Sequence, residues 1–79
     1  MKKAVFYHAG CPVCVSAESD IVNIIDRTKF DLEVVHLGEH RELISMAEAA
    51  GIRSVPALLL DDNVLHINFG ASIDDVKNS

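Results

Sequence analysis

The chain has 79 residues, 49% of them hydrophobic and 24% charged, which is enough for one folded domain and too little for a two-domain enzyme. Seven Lys and Arg against twelve Asp and Glu give a net charge of −5, and no run of basic residues could follow a phosphate backbone, so we expect no nucleic-acid partner. No apolar stretch approaches the roughly 20 residues that cross a bilayer, and the apolar run after Met1-Lys2-Lys3 is too short for an export signal, so we expect a cytoplasmic protein without a membrane segment.

The first half of the chain has the pattern of a strand, a helix and a second strand. Residues 4–7 are apolar on both faces, as in a central strand that is covered on both sides. From residue 12 to about residue 27, apolar residues recur at three- and four-residue spacing, which predicts an amphipathic helix. Residues 31–37 alternate and then become continuously apolar, which predicts a strand near the sheet edge with a better covered later half. A helix that connects two strands in this way forms a crossover, which makes the two strands parallel neighbours in one sheet.

The second half predicts a helix, a hairpin and a short final helix. Apolar residues mark one helical face over residues 39–50, and Gly51 stands where a left-handed cap would end that helix. Residues 57–60 and 64–69 flank a polar turn, which is typical of an antiparallel hairpin. Ser72 can cap the last helix, with Asp74 and Asp75 in its first turn. The predicted order is therefore strand, helix, strand, helix, strand, strand, helix.

A close pair of cysteines follows the first predicted strand. Pro12 fits the first position of a helix, which makes Cys11 the N-cap. There its sulfur meets unpaired backbone N–H groups and the positive end of the helix dipole, both of which favour a thiolate. Cys14 lies one turn further on, at a spacing from which it can attack a mixed disulfide formed on Cys11. We therefore predict that Cys11 is the acidic, nucleophilic cysteine and that Cys14 is the resolving thiol.

Other uses of the pair are weaker. A disulfide that closes a loop of about four residues contributes only about 2 kcal/mol, and haem attachment needs a histidine where this chain has Val15. Zinc is the main alternative, and would make this a non-enzymatic binding domain, although zinc sites usually pair two such cysteine motifs. Its candidate ligands are His8, Cys11 and Cys14, with His36, His40 or His66 as a fourth.

The dipeptide Val55-Pro56, just before the third predicted strand, is the second informative motif after the cysteine pair. A proline there sits at the first residue of a strand or at an edge, as either an ordinary trans or a cis peptide. With Cys11-Pro12-Val13-Cys14 after the first strand and Ser54-Val55-Pro56 before the third, nearly the whole chain resembles the thioredoxin/glutaredoxin superfamily in its minimal form. The resemblance implies one thioredoxin-like α/β domain over residues 1–79, with a mixed four-stranded sheet flanked by helices.

The resemblance also implies roles for residues beyond the cysteine pair. In that superfamily the proline matching Pro56 is cis and lies against the cysteines, and the backbone matching Val55 pairs with a bound peptide or glutathione. Residues 5–14 look like a glutaredoxin, with Val13 in place of the usual tyrosine. Residues 51–60 look like a thioredoxin, as does the long gap to Gly70.

Some positions depart from both patterns. His8 replaces a lysine with which glutaredoxins often bind a glutathione carboxylate, and Gly70-Ala71 replaces their Gly-Gly pair. Gly10 and Val5 replace the tryptophan and the buried acid of thioredoxins, so proton transfer to and from Cys14 would fall to His8 or to water.

We therefore predict a small cytoplasmic thiol-disulfide oxidoreductase that reduces protein disulfides and serves electron transport and cell redox homeostasis. It would use no cofactor and no metal beyond the redox-active cysteine pair, and an external reductant would regenerate it. That reductant is a thioredoxin-reductase-type flavoenzyme or, if the protein is a glutaredoxin, glutathione. We expect a monomer. The predicted substrate surface around the two cysteines consists of Pro12, Val13, Val55, Pro56 and Gly70.

Overall fold

A computed structural model describes residues 2–78, apart from the side chains of residues 68 and 69. No helix in this part of the chain is long and apolar enough to cross a membrane. The elements in chain order are β1 Lys2–His8, α1 Pro12–Ile24, β2 Phe30–His36, a 3-10 turn Arg41–Leu43 that leads into α2 Ile44–Ala49, β3 Ser54–Leu60, β4 Asn63–Ser72 and α3 Ile73–Lys77.

The four strands form one mixed sheet in the order β2-β1-β3-β4. β1 runs parallel to β2 and antiparallel to β3, and β3 runs antiparallel to β4. The predicted α/β fold, with its parallel crossover and its hairpin, is therefore confirmed. β2 is an edge strand, as predicted, and its later half contains the buried Val35.

The two faces of β1 explain why its sequence is continuously apolar. Ala4 and Phe6 point to the face covered by α1, where Ala17, Ile21 and Leu58 complete a small core. Val5 and Tyr7 point to the opposite face, where the core is larger and includes residues of α2 and α3: Ile44, Ala47, Ile73 and Val76. Full burial of a side chain such as Phe6 contributes about 1.5–3 kcal/mol, so β1 anchors both layers.

Two helix boundaries differ from the sequence prediction. α1 ends at Ile24, before the predicted residue 27, and the backbone of Ile25 is already extended. Asp26 accepts hydrogen bonds from the backbone N–H and the hydroxyl of Thr28, at 2.9 and 2.6 Å, and such local bonds compete with a helix. The second helix begins with the 3-10 turn at Arg41, because the N–H groups of Glu39 and His40 bond back to the His36 carbonyl.

The predicted ends of the other helices are confirmed. Gly51 has a φ of +97°, and the next amide, of Ile52, donates to the Ala47 carbonyl at 3.0 Å, which closes α2 with a left-handed cap. Ser72 caps α3: its hydroxyl accepts from the Asp75 N–H at 3.1 Å, and the Asp75 carboxylate accepts from the Ser72 N–H at 3.2 Å.

Candidate active site

Cys11 stands at the N-terminus of α1. Its backbone is extended, with a φ of −70° and a ψ of 159°, and Pro12 begins the helix, so the predicted N-cap is confirmed. The backbone N–H of Cys14 donates to Cys11 Sγ at 3.2 Å. Gly10, just before the cap, has a φ of +80°, a left-handed conformation that favours glycine.

The two cysteines are free thiols that differ in exposure. Cys11 is half-buried, whereas Cys14 has no exposed surface. Burial raises the pKa of the Cys14 thiol, and its side-chain hydrogen bond with Cys11 raises it further. Cys14 is therefore held protonated behind a sulfur that solvent can reach.

Val55 and Gly70, two of the predicted substrate residues, lie near the cysteine pair, on β3 and β4. The Val55-Pro56 peptide is cis, as the resemblance implied, and both residues are buried. Gly70 lies against Cys11 so closely that a Cβ there would overlap Cys11 Sγ. The same Cβ would lie 3.0 Å from the Val55 carbonyl oxygen and 3.4 Å from Cys14 Sγ. The backbone of Gly70 therefore borders both sulfurs, with the Val55 carbonyl beside it.

An irregularity in the β3-β4 pairing places Gly70 there. Val55 pairs with Ala71, whereas Ala57 pairs with His66, so two positions along β3 correspond to 71 − 66 = 5 positions along β4. The extra residues bulge out of the ladder between these two pairs, and Gly70 is the last of them. Irregularities of this kind often re-aim the chain beside active sites.

Pro12 and Val13, the other predicted substrate residues, border an apolar groove along α1. Pro12 is exposed and Val13 is half-buried. The groove has a volume of about 460 Å³ and extends along the helix to Ile24 and to Ile67 of β4. Cys11 is not among its lining residues, so the groove adjoins the cysteine and does not contain it.

The burial of His8 and its side-chain contacts could not be predicted from the sequence. It is the last residue of β1 and only 5% exposed. Its Nδ1 accepts from the Gly10 N–H at 3.2 Å, and its Nε2 lies 3.3 Å from Glu18 Oε1 on α1. The His36 ring packs beside it, with 4.6 Å between the ring centroids. Burial, and secondly His36, lower the pKa of His8, so the imidazole is neutral at pH 7.

Both ring nitrogens of His8 are thus engaged, by Gly10 and by Glu18. Nothing in the sequence pattern pointed to Glu18, which is ten positions away, although a histidine that ends a buried strand needs polar partners. Among residues 2–78, no group of three or more His, Cys, Asp or Glu side chains is placed to hold a metal ion. The candidate zinc ligands are therefore not arranged as a metal site in this part of the chain.

The sequence profile of the thioredoxin domain family matches residues 1–68. The chain belongs to the thioredoxin domain family. This thioredoxin domain is also similar to a dimeric thioredoxin-like protein from Nitrosomonas europea, whose structure was solved by NMR in solution. The two share 59% sequence identity over 99% of this chain and 98% of that chain, with a TM-score of 0.91. A search of curated proteins gave no significant match.

These similarities confirm the superfamily and the fold, and two neighbouring cysteines in a thioredoxin-like domain are consistent with a redox function. The expected monomer is wrong by the same comparison, because the relative from Nitrosomonas europea is a dimer. Length and net charge carry no information on oligomeric state. Exposed apolar residues, such as Ile24 at 75% and Met46 at 63%, have the same sequence pattern as core residues.

Proposed function

We propose that this thioredoxin domain is a thiol-disulfide oxidoreductase that reduces protein disulfides, with Cys11 as the nucleophile and Cys14 as the resolving thiol. The unequal placement of the two sulfurs supports this most. Cys11 is half-buried and its Sγ accepts the Cys14 N–H at 3.2 Å, while Cys14 is fully buried. A substrate disulfide meets Cys11 first.

The reaction has two exchange steps. In the first, the Cys11 thiolate attacks one sulfur of the substrate disulfide; that S–S bond breaks, a mixed disulfide forms, and the other substrate sulfur leaves as a thiolate. In the second, Cys14 loses its proton and attacks Cys11 Sγ; the mixed disulfide breaks, and the second substrate thiolate leaves. Two electrons pass to the substrate, and the enzyme is left with a Cys11–Cys14 disulfide that an external dithiol must reduce.

The proton of Cys14 needs an acceptor in the second step. Since burial raises the pKa of this thiol, it does not ionise before the substrate arrives. His8 has both ring nitrogens engaged by Gly10 and Glu18. We therefore assign the acceptor role to the thiolate that leaves in the first step, which is released next to the cysteine pair. Cys14 can therefore attack the mixed disulfide only after a substrate disulfide has reacted with Cys11.

Substrate contacts follow from the surroundings of Cys11. Because Gly70 has no side chain, its backbone lies directly against the Cys11 sulfur, and the Val55 carbonyl oxygen lies beside it. Pro12 and Val13 lead from the cysteine to the apolar groove along α1. We propose that an extended, partly apolar peptide segment of the substrate lies across this surface.

We propose that a thioredoxin-reductase-type flavoenzyme, rather than glutathione, regenerates the dithiol. A glutathione carboxylate would need an accessible cation where glutaredoxins often have lysine. His8 at that position is buried, neutral and engaged with Glu18. The net charge of −5 also disfavours an anionic tripeptide. Faster NADPH oxidation with glutathione and glutathione reductase than with the flavoenzyme, at matched concentrations, would instead make the protein a glutaredoxin.

We further propose that the protein acts in the cytoplasm, whose reducing conditions suit a catalytic cysteine pair, and that it dimerises as its 59% identical relative does.

The redox proposal is tested with single cysteine variants and a protein disulfide substrate. Cys11→Ser should abolish dithiol-driven reduction, whereas Cys14→Ser should still attack and accumulate a covalent mixed disulfide. Ser19→Ala, at an exposed position of α1 that does not line the groove, is the matched control and should behave as the wild type. Trapping of substrate on Cys14 in the Cys11→Ser variant, without trapping in the reverse case, would exchange the two roles. Stoichiometric zinc that resists mild chelation would refute the proposal.

A further inference from the structure

His8 is unusual because it is a polar side chain placed where the fold buries apolar ones. Among the side chains that the structure describes, it is the one buried polar or charged residue. It ends β1, two residues before Gly10 and three before Cys11. A buried polar group without partners would cost stability, so the contacts that it makes indicate why this position tolerates it.

The two contacts of His8 fix its tautomer. The Gly10 N–H can donate to Nδ1 only if that nitrogen carries no proton, and the bond is 3.2 Å long. In the neutral ring the proton then sits on Nε2, which lies 3.3 Å from Glu18 Oε1 and so faces the carboxylate of α1. One imidazole thus bridges the loop before Cys11 and the helix that Cys11 caps.

The loop between these contacts has little freedom. Gly10 is in the left-handed region, with a φ of +80°, and a Cβ on it would lie 2.7 Å from His36 Nε2. It is therefore held between the rings of His8 and His36. The next residue, Cys11, accepts the Cys14 N–H through its sulfur only while the loop delivers it to the N-cap position.

The charge state of His8 decides whether this bridge exists. The groups that act on it are Glu18 on α1, His36 on β2 and Glu39 after β2. Burial and His36 lower the pKa of His8, and the two carboxylates oppose them. Protonation would place a second N–H on Nδ1, directly against the Gly10 N–H, and break that hydrogen bond.

We infer that His8 is a positioning residue for Cys11, whose neutral imidazole accepts from the Gly10 N–H and packs against Glu18 and so holds the loop in which Cys11 caps α1. This role of His8 rests on the proposed function, since the loop carries the proposed nucleophile Cys11. Its effect on the sulfur can nevertheless be measured without any substrate protein or reductase.

The test is the rate at which iodoacetamide alkylates Cys11 at pH 7, followed by mass spectrometry on the reduced full chain. In His8→Asn the amide oxygen can replace Nδ1 as the acceptor for Gly10, whereas His8→Leu leaves that N–H unpaired. We expect His8→Asn to react within about twofold of the wild type and His8→Leu to react about fivefold more slowly, the factor that one lost hydrogen bond is worth. A wild-type rate in His8→Leu would overturn the inference.

A second pair of variants covers the case in which His8→Leu does not fold. Glu18 is partly exposed, and Glu18→Gln keeps a polar group of the same size beside Nε2, whereas Glu18→Leu removes it. We expect Glu18→Leu to react about two- to threefold more slowly than Glu18→Gln. Equal rates for these two variants would overturn the inference.

The pH dependence separates positioning from a merely structural role. Because the pKa of His8 is lowered, protonation of His8 removes the acceptor for Gly10 only as the pH falls well below about 6.5, whereas asparagine does not titrate. The ratio of the His8→Asn rate to the wild-type rate should therefore rise on the acid side. A ratio independent of pH would overturn the role of the neutral imidazole. The expected alkylation pattern without disulfide reduction would instead refute only the proposed function.

Discussion

Gly70→Ala adds one methyl group at the point where β4 meets both sulfurs. The new Cβ would overlap Cys11 Sγ, and it would lie 3.0 Å from the Val55 carbonyl oxygen and 3.4 Å from Cys14 Sγ. Val55 is fully buried and paired with Ala71, so its backbone has little room to withdraw. We therefore expect the short side chain of Cys11 to rotate away from the helix cap.

The size of the effect follows from what this rotation removes. Cys11 would lose the hydrogen bond from the Cys14 N–H, and loss of an N-cap side chain costs about 1 kcal/mol of unfolding free energy. Crowding of a packed site costs about 1–3 kcal/mol when the neighbours cannot move. We therefore expect Gly70→Ala to lower the free energy of unfolding by about 1–3 kcal/mol. Since displacement of a reacting group by about 1 Å can cost about 100-fold in rate, disulfide reduction should slow by at least about tenfold.

Gly51→Ala is the matched control, because it is the same substitution at a glycine with a different constraint. Its added Cβ would meet Val64 Cγ2 at an ordinary 3.5 Å, but the φ of +97° is left-handed and costs alanine about 1–2 kcal/mol. Gly51→Ala should therefore lose stability in urea unfolding and keep the wild-type rate of disulfide reduction. A Gly70→Ala protein that reduces disulfides at the wild-type rate would refute the reasoning, as would equal losses of rate in both variants.

Three further outcomes are expected. Because folding lowers the pKa of His8, the unfolded chain binds a proton at a higher pH than the folded chain does. The free energy of unfolding should therefore fall as the pH drops below about 6.5. Urea titrations at several pH values should show that His8→Asn reduces this fall. Ser72→Ala should lower the free energy of unfolding by about 1 kcal/mol through loss of the α3 cap, whereas Ser72→Asp, which keeps a capping oxygen, should retain most of it; equal losses would contradict the cap. Light scattering should give 2 × 8.6 = 17.2 kDa for a dimer, and a mass of 8.6 kDa at every concentration would contradict it.

Local sequence rules were sufficient for much of the fold. The apolar run of β1 predicted a strand covered on both faces, and Gly51 and Ser72 predicted helix ends that the structure confirms. The N-cap position of Cys11 could also be predicted, since Pro12 marks the first turn of a helix. Each of these features depends on residues within a few positions of one another.

Features that depend on distant residues were less accessible. The approach of Gly70 to Cys11 joins positions 59 apart, and only the resemblance to a family suggested it. The contact of His8 with Glu18 joins a strand to a helix whose relative rotation no local pattern specifies. The end of α1 was misplaced because the side chain of Asp26 competes for backbone groups, an effect that apolar periodicity does not record.

The join between β4 and α3 links the C-terminal helix to the cysteine pair. Ser72 is both the last residue of β4 and the cap of α3, and only Ala71 separates it from Gly70. A helix of five residues is not stable alone. It is held by Lys77, 2.7 Å from Glu48, and by Arg41, which donates to the carbonyl oxygens at its end.

Local unfolding of α3 would therefore release the strand segment that borders both sulfurs. We expect the amide protons of Gly70 and Ala71 to exchange with solvent at the same opening free energy as those of α3, below that of the central strand β1. The ion pair between Lys77 and Glu48, which is remote from the cysteines in sequence, would then influence how often the strand segment beside Cys11 unfolds locally.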